Sequence, residues 1–346
     1  MPRLPPRLLI HALRKSPFLA LLLPICRDLS SARNELRWLT EHISATIPTL
    51  SASAHHSLLR SLCLRRRAGE PLQYILGTQP FGPLDIKCRP GVLVPRAETE
   101  AYTMYLADML VRRFRGKGVR VLDLCTGTGC IPLLLYTKLF RAARRLRVTG
   151  VDISPTALSL SDENLEHNMR LGVLPMSSDV SRISFEHGDV FENSVVEALV
   201  AEGPWHVLTC NPPYISATAW HDSAQGLSRS TRKFEPRLAL TPAADLPRSA
   251  ECAPQDVFYE RVLAVARQVQ SQVVLLEVGD VEQAVRVLRM LDGSEAEVEV
   301  WRDWPDMTRL PEEDEDLLVQ KRDGIEWRVK CRGSGNIRSI FIVRHV

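Results

Sequence analysis

The sequence lacks the cysteine patterns that bind zinc or build a disulfide framework. Its eight cysteines contain no C-x-x-C pair and no cluster with histidine at zinc-binding spacing. Several of them lie in apolar runs, which favours buried, reduced thiols and a reducing compartment. The chain of 346 residues also lacks an apolar run long enough to cross a bilayer, and its net charge is only +3. We therefore expect no metal site, no membrane partner and no stable binding of nucleic acid.

Acidic side chains are missing from residues 1–27, which carry arginine and lysine instead. An acid-free, arginine-bearing and partly amphipathic N-terminus is typical of a mitochondrial targeting segment. The apolar run 18–25 also fits the hydrophobic part of a secretory signal, or the first helix of a folded core. We predict a protein of the mitochondrial matrix, with a cytoplasmic location as the alternative.

The rest of the chain divides into three parts. Residues 28–71 repeat leucine and isoleucine at helical spacings, which predicts a small all-helical domain. In residues 72–97, glycine and proline separate short apolar runs, which predicts a β-hairpin linker. Residues 98–346 alternate strand and helix patterns, which predicts an α/β domain with a mostly parallel sheet. The segments 216–255 and 306–335 interrupt that pattern, and we interpret them as insertions, the first as a lid and the second as a solvated loop.

Strand patterns of the α/β domain fall into two groups. Five of them alternate with helices, at 119–125, 146–154, 182–190, 205–210 and 272–279. The last two, at 295–301 and 336–344, are expected to pair with each other in antiparallel orientation.

The segment "VLDLCTGTGCI" leads from the first of these strands through a glycine-containing turn into a helix. Gly127 and Gly129 let the backbone approach a ligand, and the helix N-terminus offers free N–H groups. Asp123, Asp152 and Asp189 end or follow three successive strands, and ligands of parallel sheets lie beyond such strand ends. Asp152 can accept from ribose hydroxyls and Asp189 from an adenine amino group. These residues predict an adenosyl pocket; the alternatives are a ligand-free turn, a helix cap or a surface turn.

The glycine pattern does not fit a dinucleotide, because Pro132 occupies the third glycine position of that fingerprint. A carboxylate at Asp123 would repel a pyrophosphate, but it suits the amino group of a methionine moiety. S-adenosylmethionine is therefore the predicted cofactor.

The segment "NPPY" is stiff, since each proline fixes its own φ and lacks an N–H. Asn211 ends the fourth strand beside the first, so we expect it to face the methyl group of the cofactor. The Asn211 side-chain oxygen and the Pro212 carbonyl can accept the two hydrogens of a planar NH₂ group, while Tyr214 stacks on that group. The segment predicts methyl transfer to a planar nitrogen by positioning, without a strong base. A rigid proline turn is the alternative.

Together with "PLQYILGTQPFGPLDI", "VLVPRAETE", "VDISPTALSLSDEN", "FEPRLAL" and "LLEVGD", these motifs resemble the HemK/PrmC family of protein-glutamine methyltransferases. Members of that family act on the GGQ loop of peptide-chain release factors. The resemblance implies a seven-stranded, Rossmann-like class I methyltransferase domain, preceded by a helical substrate-binding domain and a hairpin linker.

The resemblance also implies roles for single residues. The turn would hold the methionine part of the cofactor and two strand ends its ribose and adenine; these residues are Asp123, Cys125, Thr126, Gly127, Thr128, Gly129, Asp152, Asp189, Val190 and Asn211. The substrate glutamine amide would be held or bordered by Asn211, Pro212, Pro213, Tyr214, Phe81 and Glu98. Two departures stand out, since Cys125 replaces a glycine of many members and "TPAADLPRSAECAPQDV" replaces a short glycine-rich turn.

Two other functions are open on the sequence. A nucleic-acid amino methyltransferase of the adenine-N6 type uses the same Asn-Pro-Pro-Tyr, and the basic run 65–67 is its candidate binding surface. A binding protein without activity could also dock release factors or ribosomes.

Overall fold

The computed structural model describes residues 4–222, 227–291, 293, 295–320 and 326–345. Parts of three predicted segments, namely 1–3, 223–226 and 321–325, lie outside these described residues. Within them the chain forms a helical N-terminal unit, a two-stranded hairpin and a large α/β unit. No described helix combines the length and the apolar character needed to cross a membrane.

The helical unit has one core to which every long helix contributes. Its helices are α1 (Pro6–Lys15), α2 (Pro17–Cys26), α3 (Leu29–Thr46), α4 (Ala52–Arg67) and the short α5 (Leu72–Leu76). Leu22 of α2 packs in the same buried cluster as Leu39 of α3 and Leu62 of α4. Asp28 caps α3, since its carboxylate accepts from the Ser31 N–H at 2.8 Å. Because α1 and α2 also contribute buried residues to this core, the described unit begins at Pro6, upstream of the predicted boundary at residue 28.

The predicted hairpin forms between β1 (Thr78–Phe81) and β2 (Leu84–Lys87), which pair in antiparallel orientation. It is fixed to the helix that follows, α6 (Ala97–Arg113), because the Gly82 N–H donates to Glu100 at 2.9 Å. On its other side, the Lys87 N–H donates to the Asn164 side chain at 2.6 Å. The linker is thus packed onto the α/β unit.

Five parallel strands form the half of the sheet that carries the site. Their order is β5-β4-β3-β6-β7, with bounds β3 (Gly118–Leu124), β4 (Arg145–Asp152), β5 (Ser181–His187), β6 (Val207–Cys210) and β7 (Val273–Glu277). Helices cover the faces: α7 (Cys130–Leu139), α8 (Pro155–Arg170), α9 (Asn193–Ala201), α12 (Val257–Gln268) and α13 (Val281–Leu288). These elements confirm the predicted alternation of strand and helix.

The sheet continues beyond β7 with four more strands, in the order β11-β8-β10-β9. As expected, β8 (Glu295–Trp304) and β11 (Ser334–Arg344) pair in antiparallel orientation. The predicted count of seven strands is wrong, because the segment between them adds β9 (Asp316–Gln320) and β10 (Glu326–Arg332). This segment is not the solvated loop that we expected: Val319, Val329 and Cys331 are buried against the sheet.

The other predicted insertion contains short helices. They are α10 (Ala217–His221), α11 (Arg229–Phe234) and the single 3₁₀ turns Arg237–Ala239 and Pro254–Asp256. The Ile215 N–H donates to the Leu240 carbonyl at 2.8 Å, so the chain returns to the end of β6 after the helices. This return brings residues 236–246 over the carboxyl ends of the strands.

Candidate active site

A cavity of about 350 Å³ lies at the carboxyl ends of β3, β4 and β6. Eight of the ten predicted cofactor residues line it: Cys125, Thr126, Gly127, Thr128, Asp152, Asp189, Val190 and Asn211. The opposite wall consists of residues from 236–246 and from the linker. The topology thus brings together residues that are far apart in sequence, as parallel sheets do at their strand ends.

The glycine turn after β3 is held by a hydrogen bond within its own backbone and by the side chain of Asp152. Cys125, Gly127 and Gly129 have left-handed φ values of 60°, 57° and 76°. The Gly127 N–H donates to the Asp152 carboxylate at 2.8 Å, and the Gly129 N–H donates to the Thr126 carbonyl at 2.9 Å. Gly129 starts α7 behind the cavity wall. Cys125 occupies a conformation that glycine adopts more easily, so its side chain leaves strain in the turn.

Asp123 lies beneath this turn and does not line the cavity, although we predicted it beside the methionine amino group. Its carboxylate is 1% exposed and accepts from the hydroxyls of Thr126 and Thr209, each at 2.6 Å. Burial raises the pKa of this carboxyl to about 7, while the two hydroxyls oppose the rise. Asp123 therefore ties the turn to the neighbouring strand β6.

Asp152 and Asp189 lie where the sequence predicts an adenosyl group. Asp152 accepts from the N–H groups of Gly127 and Ser154 at 2.8 and 2.9 Å, one on each oxygen. Burial raises the pKa of its carboxyl, and these N–H groups oppose the rise. Each oxygen keeps a further lone pair that can accept from a hydroxyl. Next to Asp189, the rings of Phe191 and Phe258 meet edge to face at 5.0 Å and both line the cavity.

The Asn-Pro-Pro-Tyr segment begins at the cavity and ends away from it. Asn211 and Pro213 line the cavity, and Pro212 is buried. Among the described residues, no partner hydrogen-bonds the Asn211 side-chain amide, so both of its polar atoms are free for a ligand. The Tyr214 hydroxyl points inward and donates to Glu277 at 3.0 Å, and burial raises the pKa of this phenol.

Four predicted substrate contacts lie outside the cavity lining: Pro212, Tyr214, Phe81 and Glu98. Phe81 is fully buried in the core beside α6 and α7, since a linker phenylalanine gains more from packing than from facing solvent. Glu98 is half-buried in the first turn of α6. Their neighbours Pro95 and Arg96 do line the cavity.

Residues 236–246 form one wall of the cavity, within the segment 216–255 that we interpret from the sequence as a lid, but neither these residues nor their anchor was identified from the sequence. Its anchor is Glu235, which is 7% exposed and accepts from Arg96 at 2.7 and 2.9 Å and from the Val94 N–H at 3.1 Å. We call this contact the Arg96–Glu235 clasp. The available signal was the acidic residue of "FEPRLAL" and the basic residue of "VPRAETE", which are complementary in charge.

Gly129 is closely surrounded, whereas Gly127 is not. A Cβ at Gly129 would lie 2.8 Å from the Phe185 ring and 3.0 Å from Ser161 Cβ, but one at Gly127 would meet nothing within 4 Å. We expect Gly129→Ala to lower the free energy of unfolding by about 2–4 kcal/mol, through left-handed strain plus overpacking. The matched control Gly127→Ala should cost only the strain, about 1–2 kcal/mol. Denaturant unfolding of both variants measures the difference, and equal losses would contradict it.

Residues 81–254 match the family model described as RNA methyltransferase. The chain is 33% identical over 328 residues to the Schizosaccharomyces pombe protein named probable MRF1 mitochondrial N(5)-glutamine methyltransferase mtq1, covering 92% of this chain and 97% of that protein. It is 37% identical over 246 residues to the Saccharomyces cerevisiae mitochondrial MRF1 N(5)-glutamine methyltransferase MTQ1, covering 69% and 68%. It is also 29% identical over 280 residues to the release factor glutamine methyltransferase of Thermodesulfovibrio yellowstonii, covering 79% and 84%.

A parallel sheet whose glycine turn and Asn-Pro-Pro-Tyr segment meet at one cavity is the arrangement of a class I, S-adenosylmethionine-dependent methyltransferase. The match to a methyltransferase family model agrees with that class. Within it, the chain belongs to the N(5)-glutamine methyltransferases, since it shares a third of its residues with one of them along almost the whole of both chains. The predicted enzyme class and family are thereby confirmed.

Proposed function

We propose that this enzyme transfers a methyl group from S-adenosylmethionine to the side-chain amide nitrogen of the glutamine in the GGQ motif of a mitochondrial peptide-chain release factor. The observation that carries the proposal is the free amide of Asn211, fixed at the cavity by the two prolines that follow it. The names of the relatives point to the same substrate: two are glutamine methyltransferases of MRF1 and one is a release factor glutamine methyltransferase.

The residues around the cavity suit S-adenosylmethionine. The bare backbone at Gly127 leaves open space where a side chain would stand, so a ligand can approach the turn. Asp152 has lone pairs left for two ribose hydroxyls, and the apolar side chains of Val190, Phe191 and Phe258 offer a slot for a flat base. We assign Asp123 the task of holding the turn, through Thr126, in place of a direct contact with the cofactor.

S-adenosylmethionine, when bound, supplies an electrophilic methyl group on a sulfonium centre. The protein's task is to orient the amide nitrogen, whose lone pair is delocalised into its carbonyl. The Asn211 side-chain oxygen accepts one N–H of the substrate amide and the Pro212 carbonyl accepts the other, so that the nitrogen faces the methyl group. Both acceptors are fixed before the substrate arrives. Methylation makes the amide nitrogen cationic and strongly acidic, so it loses one N–H proton to water and no strong general base is required.

The alternative of a nucleic-acid substrate is favoured by one observation, the description of the matched family model as RNA methyltransferase. The basic run 65–67 gives it little support, because two of its three arginines are neutralised. Arg65 pairs with Glu70 at 2.5 Å, and Arg66 pairs with Glu35 at 2.8 Å. A run paired in this way offers few counterions to release on binding a phosphate backbone.

The proposal is tested by peptide mass spectrometry of a mitochondrial release factor incubated with the enzyme and S-adenosylmethionine. We expect one added methyl group on the GGQ glutamine. The control is a release factor whose GGQ glutamine is replaced by asparagine, which should gain none. Methylation of mitochondrial RNA in place of the glutamine, with a salt-sensitive affinity for that RNA, would decide for the alternative.

The mitochondrial location agrees with the names of two relatives, and the helical unit limits where a targeting segment can end. Helix α2 buries three leucines in the core, Leu19, Leu22 and Leu23, whereas Ala12 is the one fully buried residue of α1. Ser16 caps α2, since its hydroxyl accepts from the Phe18 N–H at 3.2 Å. We propose that any segment removed after import ends at or before Lys15, which leaves the Ser16 cap in place.

Removal of residues 1–15 is therefore expected to leave the helical unit folded, and removal of residues 1–27 to destabilise it severely. Each buried leucine of α2 is worth about 1.5–3 kcal/mol, so the longer truncation loses several kcal/mol. Thermal unfolding of both truncated chains, followed by circular dichroism, measures the difference. An N-terminus beyond Leu19 on the protein isolated from mitochondria would refute the proposed limit.

A further inference from the structure

A buried carboxylate, Glu277, lies behind the Asn-Pro-Pro-Tyr segment at the end of β7. It is 3% exposed, and three hydroxyl groups converge on it. Thr99 and Tyr102 donate to one carboxylate oxygen at 2.7 and 2.9 Å, and Tyr214 donates to the other at 3.0 Å. Burial raises the pKa of this carboxyl, while the donors and the nearby Arg338 oppose the rise. A buried acid with this many partners is satisfied only when all of them are in place.

The three donors come from two separate parts of the chain. Thr99 and Tyr102 belong to α6, the helix that follows the linker, whereas Tyr214 ends the Asn-Pro-Pro-Tyr segment. Glu277 therefore joins the linker side of the cavity to the segment that is proposed to hold the substrate amide.

The other contacts of Tyr214 also restrict the orientation of its ring. The Gln283 side chain donates to the Tyr214 carbonyl at 3.2 Å, and it is itself held by Asp256 at 2.8 Å. A Cβ at Gly279 would lie only 3.1 Å from two carbons of the Tyr214 ring, so the ring edge rests against bare backbone. With the hydroxyl fixed by Glu277, the ring is held at its tip, its edge and its backbone.

We infer that Glu277 is a positioning residue for methyl transfer, acting through Tyr214. The inference rests on the proposed function, in which Asn211 and Pro212, in the segment that Tyr214 ends, hold the substrate amide. Glu277 touches neither the cavity nor the substrate. It fixes the end of the Asn-Pro-Pro-Tyr segment through Tyr214, and small displacements of the two acceptors in that segment reduce the rate more than they reduce binding.

Glu277→Gln tests the inference because it keeps the size of the side chain but replaces one acceptor oxygen by an NH₂ group. We expect kcat for the release factor to fall about 10- to 100-fold, with the Kd for S-adenosylmethionine within about twofold of the wild type. Tyr214→Phe should lower kcat by a similar factor. In the Tyr214→Phe background, Glu277→Gln should have no further effect on kcat, since the contact through which it acts is already absent.

Tyr102→Phe is the matched control. Tyr102 also donates a phenolic hydroxyl to Glu277, but it belongs to α6 and not to the Asn-Pro-Pro-Tyr segment. This variant should lose a comparable amount of thermal stability and keep kcat within about twofold of the wild type. A fall in kcat equal to that of Glu277→Gln would show that the cluster is only structural and would overturn the inference, as would wild-type kcat in Tyr214→Phe.

Failure of the proposed function would give a different experimental result from failure of this inference. If the wild-type enzyme binds S-adenosylmethionine but methylates no release factor, the substrate is wrong. The inference is then tested by crystal structures of the wild type and Glu277→Gln, which report the orientation of the Tyr214 ring whatever the substrate is. A rotated or disordered ring in the variant supports the role of Glu277, and an unchanged ring overturns it.

Discussion

Replacement of Asn211 by alanine is expected to reduce the rate of methyl transfer by about 10²- to 10³-fold, the loss that follows removal of one preorganised hydrogen-bonding group from an active site. The side chain lies at the cavity and has no competing partner among the described residues, so its oxygen is available to the substrate amide. Alanine removes that acceptor and leaves Pro212 and Pro213 unchanged. Single-turnover rates with a release factor measure the effect directly.

The matched variant is Asn211→Asp, which keeps an acceptor oxygen at the same place. It should retain more activity than the alanine variant, and both should bind S-adenosylmethionine within about tenfold of the wild type, because most of the cavity wall is unaltered. An alanine variant that keeps more than a tenth of the wild-type rate would show that Asn211 does not orient the amide.

Glu235→Ala is expected to have the second largest effect, on stability and on cofactor affinity together. It breaks the Arg96–Glu235 clasp and leaves the Val94 N–H without its acceptor. We expect a loss of about 2–3 kcal/mol in unfolding free energy, less than for a fully buried pair because 36% of the Arg96 side chain is exposed. Since the clasp holds residues 236–246 over the cavity, the affinity for S-adenosylmethionine should also fall, by about tenfold. Denaturant unfolding and calorimetric titration measure the two effects.

Asp108→Ala is the control for the clasp. It breaks the ion pair between Asp108 and Lys138, which is 3.6 Å long and lies at the surface far from the cavity lining. Such a pair contributes less than about 1 kcal/mol, so stability should change little and cofactor affinity not at all. If Glu235→Ala behaves like this control, the clasp does not hold the wall.

The parallel half of the sheet and most of the cavity lining follow from the sequence, because they depend on local patterns. A strand, a glycine turn and a helix fix where Gly127 lies, and the strand ends fix Asp152 and Asp189. The sequence places Asp123 at a strand end as well, but the side on which its carboxylate finds partners depends on Thr209 of another strand. Tertiary contacts decide that question.

The missed features share this dependence on distant partners. The strands β9 and β10 alternate only weakly and lie in a highly charged segment. Local periodicity therefore predicted neither their pairing with each other nor the pairing of β10 with β8. Phe81 is an apolar residue in a linker, where core packing and substrate contact leave the same pattern. The wall at 236–246 depends on an ion pair between residues 139 positions apart.

The two partners of the clasp, Arg96 and Glu235, belong to different parts of the chain. One partner of the clasp follows the hairpin and the other lies deep within the α/β unit, so the cavity belongs to neither part alone. Helices α1 to α4 have their own apolar core and line no part of the cavity, so they could be exchanged between relatives without altering a wall of it. Helix α5 differs, because Tyr74 donates to the carbonyl of the cavity residue Val92 at 2.6 Å. The linker could not be exchanged in this way, because it carries Arg96. In the evolution of this family, we expect α1 to α4 to diverge freely, while the linker and the α/β unit are inherited as one piece.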